Sequence, residues 1–143
     1  MTEPSLDERL SCERDCNRLC IDFAWAVDSR HYDAFVALFV ADGVFERPGL
    51  VCHGHAEIRR FLDARPPDRT TRHLCTNVRI DMTGPDSATG QCHALMFQSQ
   101  EGQGGDGPLR YAPPVLVDYH DDFVRTPHGW RFKERKTTLI FLP

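Results

Sequence analysis

The chain has 143 residues, 41% of them hydrophobic and 27% charged, with a formal net charge of −4. That length buries a continuous core without disulfide or metal staples, so one domain is expected over residues 1–143. The acidic balance gives no footprint for nucleic acid or anionic lipid, and no apolar run approaches the roughly 18 residues that a membrane span needs.

The polar start "MTEPSLDERLSCERDC" lacks the basic and apolar regions of a secretory signal. The expected compartment is the cytoplasm, where the six cysteines stay as free thiols. Within "CERDCNRLCIDFAWAVD", Cys12, Cys16, Leu19, Cys20, Phe23 and Val27 share one stripe at about 100° per residue, the core side of a first helix ending at Asp28. Cysteine packs there as a small hydrophobe, because the C-x3-C-x3-C run lacks the two-residue spacing and second half-site of common zinc folds. A second helix is expected with Tyr32, Phe35, Val36, Leu38 and Phe39 on one side, stopped by Asp42-Gly43. "VFERPGLVCHG" predicts two short strands around Pro48-Gly49, and "HAEIRRFLDAR" a third helix closed by Pro66-Pro67.

From Thr70 the pattern turns extended. Four long strands are predicted in "TRHLCTNVRIDM", "SATGQCHALMFQSQ", "PVLVDYHDDFVRT" and "GWRFKERKTTLIFLP", separated by "TGPD", a glycine-rich loop around 101–108 and "PHG". Three helices followed by antiparallel strands give an α+β class: a cone-shaped curved antiparallel sheet, a half-barrel, wrapped over the helices and enclosing a pocket.

Motifs for nucleotide binding, an elbow serine or zincin chemistry are absent, so no cofactor is expected. Cys52, His53 and His55 in "CHGH" are competent metal ligands. Gly54 and a helix start separate the two histidines, however, and no fourth ligand is evident; no metal site is expected, and His53 is placed at the pocket wall.

Four pieces in order carry a resemblance over nearly the whole chain: Asp28 followed by "SRHYDAFVALFVADGVF", then "GHAEIRRFL", "TRHLCTNVRID" and "DDFVRTPHGWRFKERK". The sequence resembles SnoaL-like members of the nuclear-transport-factor-2-like superfamily. Scytalone-dehydratase-like and bile-acid-dehydratase-like members place an aspartate at the end of the first helix, matched by Asp28. The former also have a histidine at the start of the first long strand, matched by His73. Met96 and Gln98 stand where those groups carry a second acid and a second histidine, and Phe23 where the bile-acid type has a tyrosine.

The resemblance implies a dyad in which Asp28 orients His73, leaving one ring nitrogen to move a proton next to a carbonyl. Gln98 or Tyr119 would hydrogen-bond the enolate oxygen, and Phe23, Tyr32, His53 and Met96 complete the expected pocket. Two residue patterns pull the other way. Asp28 ahead of Ser29 also suits a cap for the second helix. Leu74, Thr76, Val78 and Ile80 form the more apolar side of their strand, which would turn His73 to solvent.

The resulting expectation is a cofactor-independent lyase or isomerase, of dehydratase or cyclase type, acting on a medium-sized ring-containing carbonyl compound. The alternative is a non-catalytic binding or assembly protein of the same fold, including a dioxygenase small-subunit-like role. The expected partners are a small apolar, aromatic or polycyclic ligand and a second copy of the chain; nucleic acid and membrane are not expected.

Overall fold

A computed structural model describes residues 2–103 and 106–142, so residues 104 and 105 of the expected glycine-rich loop lie outside the described residues. The first helix, α1 (Leu6–Asp28), starts at a reciprocal cap: the Ser5 hydroxyl accepts from the Glu8 N–H at 3.2 Å, and the Glu8 carboxylate accepts from the Ser5 N–H at 2.7 Å. Its stripe of Cys12, Cys16, Leu19, Cys20, Phe23 and Val27 is buried, chiefly against the strand β3 (Thr71–Gly84). All six cysteines are free thiols.

Helix α2 is shorter than the apolar period predicts. It spans Tyr32–Val36, and strand β1 (Phe39–Arg47) begins where the helix was expected to continue. The reason is tertiary pairing: Phe39 lies in register with Phe132 of the last strand, and the Phe132 N–H donates to the Leu38 carbonyl at 2.8 Å. Asp42-Gly43 falls in the irregular part of β1, where the register shifts between Phe39 and Val44, instead of stopping a helix. Strand β2 (Leu50–His53) and helix α3 (Gly54–Asp63) follow as expected.

The remaining strands are β4 (Ser87–Ser99), β5 (Tyr111–Thr126) and β6 (Gly129–Phe141). With β3 they form an antiparallel run, and β1 joins β6 in parallel, giving one sheet in the order β2-β1-β6-β5-β4-β3. This curved, unclosed sheet over three N-terminal helices is the α+β half-barrel expected from the element pattern. Gly90 helps it bend: a Cβ there would lie 2.7 Å from the Phe123 ring and 2.8 Å from Ile80.

Two bulges decide which side chains face the helices. In β3 the register shifts between Thr76 and Arg79 at Asn77, whose φ of 54° lies in the left-handed region. The inward set is therefore Thr71, His73 and Cys75, then Val78, Ile80 and Met82, while Leu74 is 52% exposed. In β6 the shift between Asp122 and Phe123 of its partner moves the inward set from Trp130 and Phe132 to Arg135 and Thr137. Arg135 is wholly buried and grips Asp121 through Nε at 2.7 Å and Nη2 at 2.9 Å. Burial works to lower the Arg135 pKa, but the Asp121 carboxylate raises it well above the ordinary value, so the guanidinium stays charged. Among the described residues no helix is long and apolar enough to cross a membrane.

Candidate functional site

Asp28 ends α1 and turns its side chain away from α2, whose first turn has no side-chain cap. The capping role is thus not the one it plays. Its Oδ1 accepts from His73 Nδ1 at 2.6 Å and from the Thr71 hydroxyl at 2.8 Å, and its Oδ2 accepts from the His73 backbone N–H at 2.7 Å. Both side chains are about nine-tenths buried, His73 at 11% and Asp28 at 12% exposure. Burial works to raise the Asp28 pKa; the hydrogen bonds and charge of His73, with the Thr71 hydroxyl, outweigh it and hold the carboxyl below its ordinary 3.8. An ionised carboxylate only accepts, so His73 carries its proton on Nδ1 and leaves Nε2 without a protein partner among the described residues.

The β3 bulge explains why the apolar alternation of this strand misleads. His73 shares a face with Cys75 before the bulge, and Val78 and Ile80 share that same face after it. His73 consequently stands on the wall of a cavity of about 440 Å³ between the sheet and the helices. Phe23, Met96, Gln98 and Tyr119 line it too, as do Val117 and Thr137.

Neither the Gln98 side chain nor the Tyr119 hydroxyl has a hydrogen-bond partner among the described residues, and the Thr137 hydroxyl is buried without one. Burial pushes the Tyr119 phenol up from its ordinary pKa, which keeps it an O–H donor.

Two expected pocket residues lie elsewhere. His53 is exposed at the end of β2 because strand alternation gives the inward place to Cys52. Tyr32 sits one layer behind the wall, its hydroxyl accepting from Arg30 Nη1 at 3.0 Å and Arg65 Nη1 at 2.8 Å. Arg65 also donates to the Val27 carbonyl at 3.0 Å and, through Nη2, to Thr71 Oγ1 at 3.0 Å. A relay of Arg65, Thr71, Asp28 and His73 therefore links α3's end to the dyad. Sequence reasoning missed Arg65 and Thr71, whose roles depend on contacts between elements far apart in the chain.

The SnoaL-like domain family matches residues 8–136. The chain belongs to this family. A relative of this SnoaL-like chain is an uncharacterized protein of Mycobacterium tuberculosis, 24% identical over 135 residues that cover 92% of this chain and 88% of that protein. Among solved structures, a candidate scytalone dehydratase of Novosphingobium aromaticivorans superposes with a TM-score of 0.80 at 22% identity, covering 96% of this chain and 89% of that one. A type 2 hexachlorocyclohexane dehydrochlorinase, LinA, gives 0.80 at 17% identity, covering 96% and 90%. At these identities the structural likeness carries the fold, which is that of nuclear-transport-factor-2-like proteins.

The SnoaL-like chain offers one cluster of possible cation ligands among its described residues, Cys20, Cys92 and Asp121. Arg135 already occupies the middle of it, with Nη2 3.2 Å from Cys20 Sγ and 3.6 Å from Cys92 Sγ and both Asp121 oxygens engaged. The guanidinium is the cation of that cluster. The "CHGH" residues do not converge: Cys52 is buried, His53 is exposed, and His55 Nε2 donates to the Phe39 carbonyl at 2.8 Å.

Proposed function

We propose that this protein is a cofactor-independent lyase or isomerase, of dehydratase or cyclase type, acting on a medium-sized ring-containing carbonyl compound. The observation that supports it most is the Asp28–His73 pair at 2.6 Å, nine-tenths buried, with His73 on the wall of a 440 Å³ cavity where the Tyr119 hydroxyl, the Gln98 side chain and the Thr137 hydroxyl have no hydrogen-bond partner among the described residues. His73 Nε2 takes the proton next to the carbonyl, and Asp28 holds the tautomer and stabilises the imidazolium that forms. Tyr119 or Gln98 donates to the developing enolate oxygen. In a dehydration the imidazolium then returns the proton to the departing hydroxyl, which leaves as water; in an isomerisation it returns it to another carbon. The names of two structural relatives, a candidate dehydratase and a dehydrochlorinase, both denote eliminations and agree with this reading.

The reading includes a homodimer through the outer sheet face. Leu74, Leu95, Leu116 and Phe141 form one cross-strand row there, with Leu74 52% and Phe141 63% exposed, too apolar a row to favour open water. It also keeps the chain in a reducing compartment, the cytoplasm, where six thiols remain unpaired.

The test is hydrogen exchange next to the carbonyl of bicyclic ketones such as 2-decalone in D2O, followed by NMR. The protein should accelerate exchange, and His73→Gln should lower the acceleration by about 10² to 10⁴. Equal exchange with the wild type and the variant would remove the proposed chemistry.

A further inference from the structure

The exposed members of the cavity wall, Arg47, Pro48, Arg69 and Leu139, mark its opening, with half-buried Arg65 just inside. Three guanidiniums and no carboxylate belong to this wall, in a chain whose formal net charge is −4. Arg65 is committed to Val27, Tyr32 and Thr71. Arg47 and Arg69 form no ion pair among the described residues; Arg47 rests over the Phe61 ring at 5.1 Å. Of the acids near them, Glu46 faces Lys136 at 3.5 Å and Asp63 faces Arg59 at 2.9 Å, while Asp68, next to Arg69 in the chain, is exposed and does not line the cavity.

The segment carrying Arg69 is also fixed in place. Arg30 adopts a left-handed φ of 62°, a strained choice for a residue with a Cβ that persists only where neighbours hold it. From there its Nη2 donates to the Pro66 carbonyl at 2.8 Å and the Arg69 carbonyl at 2.5 Å, clamping the turn between α3 and β3. A guanidinium presents a planar fork of donors that fits carboxylate and phosphate oxygens, and a low-dielectric wall behind it focuses its field.

We propose that Arg47 and Arg69 form an anion-selecting mouth, so that the ligand is an apolar ring body bearing an anionic oxygen group, a carboxylate or a phosphate. The body fills the aromatic and aliphatic interior; the anion stays at the opening. This rests on the cavity being the ligand site and is independent of the proton-transfer role of His73.

The probes are 2-naphthylacetate, 2-naphthyl phosphate and methyl 2-naphthylacetate, titrated calorimetrically into the full-length protein. At low salt at least one anion should bind about tenfold tighter than the ester, and the tighter anion identifies carboxylate or phosphate as the group selected. The gap should shrink in high salt and close in the Arg47→Gln/Arg69→Gln double variant, with ester affinity unchanged. The proposal is overturned if the ester binds as tightly as both anions, if the gap survives in the double variant, or if none of the three binds at millimolar concentration. Should the double variant not fold, the salt series on the wild type decides, and a gap insensitive to salt overturns it. His73→Gln should keep the anion preference, so loss of hydrogen exchange and loss of selectivity are separable results.

Discussion

Three hydrogen bonds converge on Asp28, and their effect on its carboxyl has a pH signature. Its folded pKa lies below the ordinary 3.8, so ionised Asp28 contributes stability that is present above that value and is lost as pH falls through the folded one. Asp28→Asn keeps the shape but not the charge. The wild type should melt higher than the variant at pH 7, and the difference should shrink below pH 3.8, as followed by circular dichroism. A difference that stays constant with pH would mean that the carboxylate is not held by charge and hydrogen bonding. At this scale the sequence was partly legible: Asp28 and His73 could be named because their places in the chain resemble those of known SnoaL-like members. Arg65 and Thr71 could not, since an arginine before Pro66-Pro67 and a threonine opening a strand look like surface residues until α1, α3 and β3 are brought together.

At the scale of elements, the helices and long strands were readable from periodicity, but the faces of the strands were not. An inserted residue inverts the alternation beyond it, so β3 and β6 each present odd positions along one stretch and even positions along the other. Asn77 carries the β3 inversion at φ 54°, a conformation that asparagine tolerates and a β-branched residue does not. Asn77→Val should cost about 1–3 kcal/mol in urea denaturation, and Asn77→Gly should be close to neutral. Unchanged stability of the valine variant would indicate that the bulge does not fix this strand's register. The same local rule fails at α2 for another reason: its apolar period runs on through Leu38 and Phe39, but pairing of Phe39 with β6 ends the helix at Val36.

For the whole molecule, the inner sheet face closes over α1 while the outer face leaves a row of apolar side chains uncovered. A charge placed in that row should separate two copies without disturbing the core. Leu74→Glu is expected to sediment as a monomer with a wild-type circular dichroism spectrum, while the unmodified chain sediments as a dimer at micromolar concentration. A wild type that is monomeric under these conditions would contradict the proposed pairing.

The central claim, that Asp28 orients His73 for proton transfer inside the cavity, is tested most directly by measuring catalysis and binding separately in Asp28→Asn. With a bicyclic ketone that the wild type exchanges, the account predicts a maximal exchange rate lower by about 10² to 10⁴ and ketone affinity changed by less than about threefold. An unchanged rate, or a loss of affinity large enough to explain the whole loss of activity, would contradict it.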